Sequence, residues 1–569
     1  MKKYVDGGQG LLEAFRALDV DYVFTASGSE WAPYWEAVSR QKEEGTEGPV
    51  YLDLWHETVA AAMATGYTLV TGRMQAVLLH AGPGLLQGAC AVHGALLAGA
   101  PMLVFSSESL TYGERESVDP GSQWYRNLSI VGGPHTMAAP FVKWSNQVQS
   151  IETLYEMVVR AGELSQRNLP GPVYLNVPVE VLLEPWTAPK FPRQVPPPAL
   201  KVSPAEEISV LVDSLLEAKN PVVLTETAGQ DAAAFHALAE LCDKLGIPVV
   251  EPQSAVCANY PRRNPMHQGG AVDKFVNDDT DLVVLVNCRA PWYSPSNKPA
   301  NAKTIVIDET PQRPHIVYQV LHANMYLEGN VARTLQAAVK EVDARGFNAE
   351  AVVERYAKFG AAHDQMMAKI EAAENKAASS EGLVDPIHLV KCLRDNTESD
   401  AVFVDESITH ARLMQQHLLL DEPGRYYYSQ GGLGQGIGQA LGVKLATGDD
   451  KLVVFTVGDG SFLYNPILPS FSAAKDLNLP ILIVIFNNLK YRSMQLNHLR
   501  FYPDGVAAGN NDFNGVNLDS QPDLASFTEP YGMFGRTVSN NEELEKGLAE
   551  AVAAVKSGTT AVLNVMVSR

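Results

Sequence analysis

Short β-branched runs alternate with amphipathic runs along the whole chain, a pattern that admits little except parallel sheets covered by helices. In the first third the strand candidates are YVFTAS (22–27), AVLLH (76–80), PMLVFSS (101–107) and VYLNVP (173–178). PVVLTE (221–226), LVVLVN (282–287) and TIVIDE (304–309) mark the second third, and VFVDES (402–407), LVVFTVGD (452–459) and ILIVIFNN (481–488) the last. Two breaks separate them. The prolines of TAPKFPRQVPPPALKVSP (187–204) cannot continue a helix or a central strand. An Ala/Glu/Lys-rich helical stretch over 348–378 then runs into SSEGLVDP. At 569 residues the chain exceeds what one core serves. Three doubly wound α/β domains are therefore predicted, at 1–186, 204–345 and 380–569, with no short-period repeat.

Composition narrows the class. A formal charge of −21 argues against a nucleic-acid partner, which would need a basic face. The five cysteines (Cys90, Cys242, Cys257, Cys288, Cys392) are scattered and form no C-x-x-C pair. They read as reduced thiols of a cytoplasmic protein and disfavour a zinc site. MKKYVDGG has no apolar signal core. The apolar region 76–106 is interrupted by His80, Pro83, Gln87 and His93, so it reads as α/β core and no membrane span is expected.

The stretch VGDGSFLYN (457–465) ends one strand, and IFNN (485–488) ends the next. PSFSAAKDLN (469–478) reads as the helix between them, with Pro469 tolerated in its first turn. A right-handed strand–helix–strand unit sends both carboxyl ends to one sheet edge, so Asp459 meets Asn487 and Asn488 where open α/β sheets bind ligands. A carboxylate, an amide oxygen and a backbone carbonyl form a hard oxygen set suited to Mg²⁺, which keeps part of its shell for phosphate oxygens. Gly458 and Gly460 permit close approach, and the N–H groups of Gly460 and Ser461 face the same space. The plainer alternative is a turn with a capping Asp followed by an unrelated Asn-rich turn.

GDG, 26 residues, then NN resembles the thiamin diphosphate signature of the pyruvate oxidase, acetolactate synthase and 2-oxo acid decarboxylase group. The likeness extends over the three-domain order: pyrimidine-binding, middle, diphosphate-binding. It implies Asp459, Asn488 and the Lys490 carbonyl as metal ligands, with Tyr491 among the cofactor contacts. Pro466 and Pro469 depart from the family's smooth entry into the helix. The family's activating glutamate corresponds to Glu57 in DLWHETVAAAMATGY, where it opens an apolar, Ala-rich helix. Taken alone, Glu57 is also an ordinary dipole-stabilised first-turn residue. Glu57 and Asp459 lie in different thirds, so the resemblance implies a cofactor held between two subunits, in a homodimer at least and commonly a homotetramer. In YYYSQGGLGQGIGQALGV (426–443), Leu433 matches the residue that bends the cofactor. Gly431 and Gly432 would bring backbone to the pyrimidine, or serve tight packing alone. DESITH (405–410) follows a strand at the same sheet edge, which makes Ser407 and Thr409 candidate diphosphate contacts.

Specificity is less legible. Ser29 in TASGSEW and His80 in LLHAGPG match the serine and one histidine of benzoylformate decarboxylases. A hydroxyl could bind the substrate carboxylate and an imidazole transfer a proton; His80 is equally a candidate core histidine. That family's second histidine is absent, and APWYSPSNK (290–298) offers Trp292 or Tyr293 in its region. Met494 hints at a bulky pocket. VLTETAGQ and VLVNCRAP lack the glycine run of a dinucleotide site, so FAD is not expected. The leading expectation is a Mg²⁺- and thiamin diphosphate-dependent 2-oxo acid decarboxylase, able also to ligate aldehydes. The alternatives are an acetolactate synthase-like carboligase and a catalytically silent, cofactor-binding regulatory subunit. No G-x-G-x-x-G follows an early strand, which disfavours a nicotinamide dehydrogenase.

Overall fold

The β-branched runs form three all-parallel sheets in the computed structural model, which describes residues 4–109, 119–293, 297–314, 316 and 323–568. The first comprises β1 (Tyr22–Ala26), β2 (Val50–Asp53), β3 (Gln75–Leu79), β4 (Met102–Ser106), β5 (Trp144–Gln147) and β6 (Pro172–Asn176), in the order β2-β1-β3-β4-β6-β5. The middle sheet holds β7 (Pro221–Thr225), β8 (Val249–Val250), β9 (Leu282–Val286), β10 (Lys303–Asp308) and β11 (Met325–Glu328), in the order β11-β10-β9-β7-β8. The third has β12 (Val402–Glu406), β13 (Tyr426–Tyr428), β14 (Val453–Gly458), β15 (Leu482–Asn487), β16 (Phe534–Val538) and β17 (Ala561–Met566), in the order β13-β12-β14-β15-β17-β16. Every predicted run is a strand. The strands that sequence reading did not single out are mostly short or less apolar, such as WSNQ at β5, although the buried β17 is neither.

The first and third sheets share one winding order, and they are joined through a pair of helices. Ala60, Ala61, Met63 and Ala64 of the Glu57–Thr71 helix pack on Ile437, Ala440, Leu441 and Val443 of the Gly436–Thr447 helix. The two backbones nearly touch. A Cβ on Gly66 would lie 2.0 Å from the Gln439 carbonyl oxygen, and one on Gly442 2.0 Å from that of Met63. One apolar core therefore runs from the first sheet into the third, whereas the middle sheet keeps its own. Residues 187–204 contain no helix or strand, and the helix Ala349–Ala378 leads from the middle unit to the third. Among the described residues no helix is long and apolar enough to cross a membrane, and all five cysteines are unpaired.

Candidate active site

β14 and β15 are parallel neighbours with Gly458 opposite Phe486, so Asp459 and the Asn487–Asn488 pair leave the sheet at one edge. Gln521, which sequence reading missed, ties them together. Its Nε2 donates to Asp459 Oδ2 (3.2 Å) and to Asn487 Oδ1 (2.9 Å). The Lys490 amide donates to Asn488 Oδ1 at 3.0 Å, closing a turn through Leu489, which is held at φ 56°. That left-handed backbone costs a non-glycine residue of the order of 1 kcal/mol, and it sits between two predicted metal ligands. Asp459 is 2% exposed, and burial pushes its carboxyl up to about 6. A buried carboxylate whose side-chain partner is a neutral amide suits a cation beside it. Among the described residues no group of three or more His, Cys, Asp or Glu side chains is arranged to hold a metal. The oxygen set of Asp459, Asn488 and a backbone carbonyl instead fits Mg²⁺.

A cavity of about 510 Å³ opens over these strand ends. The loop after β12 gives it Ser407 and Thr409, and the end of β14 with the helix that follows gives Gly458, Gly460 and Ser461. Leu433 enters from the glycine-rich turn, and Lys490, Tyr491 and Met494 from the segment after β15. The buried Ser407 Oγ has no hydrogen-bond partner of normal geometry among the described residues, as suits a site for anionic oxygens. His410 also lines the cavity, stacked on Phe486 with ring centroids 4.8 Å apart. Burial lowers its imidazole to about 4, so it is neutral at pH 7. Pro466 marks the departure near the signature: it divides a short helix, Asp459–Tyr464, from Ile467–Asp476, the helix predicted over 469–478.

Gly431 and Gly432 do not line this cavity. Both are left-handed, at φ 87° and 138°, and they face the helix Pro83–Ala98 of the first unit. A Cβ on Gly431 would come within 2.6 Å of Gly94 Cα, and one on Gly432 within 3.2 Å of Cys90 Sγ. Within one chain their office is thus the tight packing named above as the alternative. Glu406, at the end of β12, fixes the same turn. It accepts backbone N–H from Gly434 (2.9 Å), Gln435 (3.1 Å) and Gly436 (3.3 Å), and Asn465 Nδ2 at 2.7 Å. Complete burial raises its carboxyl to about 7. Its signal in the sequence was only an acidic residue closing an apolar strand.

The first unit gathers its own patch. Glu57 begins its helix as predicted, capped by His56, whose Nδ1 accepts the Thr58 amide at 3.1 Å. His80 follows β3, and its Nδ1 lies 2.8 Å from Glu30 Oε1. Glu30, also missed, is 2% exposed and accepts the Ala81 amide. The Glu30 hydrogen bond raises the His80 imidazole above its ordinary value against partial burial, with Glu57 adding to the rise. Ser29 Oγ donates to Gln123. None of Glu57, His80 or Ser29 lines the 510 Å³ cavity, so a single chain leaves the predicted residues in two separate groups. Trp292 requires correction: it is 2% exposed and packs with Val222, Leu224, Val250 and Val276 in the middle core. Its neighbour Tyr293 points outward, 5.9 Å beneath the Arg500 guanidinium.

Comparison with known proteins agrees with this layout. Residues 5–125 match the thiamine pyrophosphate enzyme N-terminal TPP binding domain, 208–338 the central domain and 408–565 the C-terminal TPP binding domain. The chain is 25% identical to the acetolactate synthase large subunit of Haemophilus influenzae, over 97% of this chain and 92% of that one. It is 23% identical to a probable 2-ketoarginine decarboxylase of Pseudomonas aeruginosa, over 99% and 94%. Among solved structures, the thiamine diphosphate-dependent 4-hydroxybenzoylformate decarboxylase of Rhodococcus jostii RHA1 superposes with a TM-score of 0.78 at 23% identity, covering 99% of both chains.

Proposed function

Since the chain belongs to the thiamine pyrophosphate enzymes, we propose that it binds thiamin diphosphate with Mg²⁺ and removes CO₂ from a 2-oxo acid without net oxidation, ligating an aldehyde in some turnovers. One observation carries the reading: Gln521 ties Asp459 to Asn487, and Asp459, Asn488 and Ser407 line one cavity at that sheet edge. Asp459, Asn488 and the Lys490 carbonyl would hold the ion, while Ser407, Thr409, Gly460 and Ser461 would take the diphosphate. Tyr491 and Leu433 would flank the rest of the cofactor, with Gly431 and Gly432 setting the turn that presents Leu433. When bound, thiamin diphosphate supplies the electron sink for the pair left as the C1–C2 bond of the acid breaks.

The first-unit patch completes this site only from a second copy, because its own cavity contains none of its residues. A homodimer is then the minimum, and a homotetramer its natural doubling. Glu57 of that copy would hydrogen-bond the pyrimidine ring. His80, oriented by Glu30, would move a proton at the former C2 of the substrate, and Ser29 would bind its carboxylate. FAD has no part in this scheme. At the ends of β7 and β9 the Glu226 carboxylate accepts the Arg289 (2.9 Å) and Ala290 (2.8 Å) amides, so the chain's own anion takes donors a dinucleotide would need.

A second reading, an acetolactate synthase-like carboligase, is favoured by the relative at 25% identity. Both readings require Mg²⁺ and thiamin diphosphate to raise the melting temperature of metal-stripped protein by linkage; no shift would remove them together. Aliphatic and aromatic 2-oxo acids, with CO₂ and carbonyl products followed in parallel, then separate the two. Free aldehyde supports the decarboxylase, and acyloin or acetohydroxy acid as the dominant product supports the ligase.

A further inference from the structure

Arg492 opens the Arg492–Phe501 helix and lines the same cavity, between Tyr491 and Met494. Its guanidinium donates to Gln495 Oε1, and Gln495 is 4% exposed, so a buried amide holds the head group. Among the described residues Arg492 makes no ion pair. What sets it apart is its place: the side chain is half-buried at the mouth of the site, in a chain of net charge −21. A guanidinium presents a planar fork matched to carboxylate geometry. Covered by substrate and a second subunit, it needs an anion to offset its desolvation.

Three anions compete for it. The diphosphate already has Mg²⁺ and the strand-end amides of Gly460 and Ser461. The carboxylate that departs as CO₂ loses its charge in the transition state, so a fixed cation there would favour the ground state and slow the reaction. That leaves a distal anionic group. Resting on the reading above that this cavity takes a 2-oxo acid, we infer that Arg492 selects 2-oxo dicarboxylic acids by pairing with the carboxylate remote from the oxo group. Met494, half-exposed beside it, then borders the methylene spacer.

Matched pairs test this: 2-oxoglutarate against 2-oxopentanoate, and 2-oxoadipate against 2-oxohexanoate, assayed with the loaded holoenzyme. The diacid should be preferred in kcat/KM by about tenfold or more. Arg492→Gln should lower the diacid-to-monoacid ratio by a similar factor, and Arg492→Lys should recover part of it. The rise in melting temperature with Mg²⁺ and thiamin diphosphate should persist in Arg492→Gln. Its loss would reassign Arg492 to the cofactor and overturn the inference. Equal or better turnover of monoacids by the wild type, or an unchanged ratio in Arg492→Gln, would overturn it while leaving the 2-oxo acid reading intact. No turnover of any of the four, with the cofactor shift intact, would overturn the inference; the 2-oxo acid reading falls with it only if the aromatic acids also fail.

Discussion

Glu406→Gln tests whether a buried carboxyl sets the pH response of the third unit. The folded protein holds this group's pKa near 7 against 4.5 for an ordinary glutamate, because complete burial outweighs three amide donors and Asn465. The folded state thus binds the proton more tightly than the unfolded one. The group's contribution to stability is complete below pH 4.5 and is lost as pH rises to about 7. A rise from 4.5 to about 7 corresponds to about 3 kcal/mol in all, of which about 2.5 kcal/mol falls between pH 5 and 8. Gln keeps an oxygen for the amides of 434–436 but turns an NH₂ toward Asn465, at a fixed cost of about 1–3 kcal/mol. Cys90 and Tyr428, the titratable neighbours, are both raised by burial and stay neutral across the window. Calorimetry without metal or cofactor should therefore show the variant gaining on the wild type by roughly 5–10 °C in the transition that melts the third unit, from pH 5 to 8. A variant-minus-wild-type difference that is flat with pH would refute the reasoning.

Glu57→Gln should slow turnover by about 10²–10³-fold while keeping the cofactor-induced thermal shift, and an unchanged rate would exclude its role in catalysis. Asp459→Asn removes a buried carboxylate that burial holds near 6. It should raise the melting temperature of metal-free protein and abolish the Mg²⁺-dependent shift; a surviving shift would place the ion elsewhere. Glu30→Gln should lower the pH at which the His80 ring titrates by NMR, because the Glu30 hydrogen bond is the largest contribution raising it. Gly442→Ala places a Cβ 2.0 Å from the Met63 carbonyl oxygen and should destabilise the protein by at least 1–3 kcal/mol in urea, a loss that a loosely packed crossing would not show.

Much of this architecture is legible one strand at a time. YVFTAS, LVVFTVGD and ILIVIFNN announce themselves because a strand buried on both faces must be apolar throughout. Asp459 and Asn488 were legible because right-handed βαβ closure forces their ends together. Edge strands such as WSNQ carry no such run, and Trp292 misled because an aromatic beside a loop reads alike whether it faces a site or a core.

The order of local elements, the acid–amide pair and the start of the Glu57 helix are consequences of neighbouring residues, and the chain spells them out. Gln521 beside Asp459, Glu30 beside His80 and Glu406 beneath the glycine turn are joined by contacts between distant segments, which no local pattern encodes. The separation of Glu57 from the cavity is of the same kind. It follows from how the Gly66 and Gly442 helices cross, since backbone contact there fixes where each sheet edge faces.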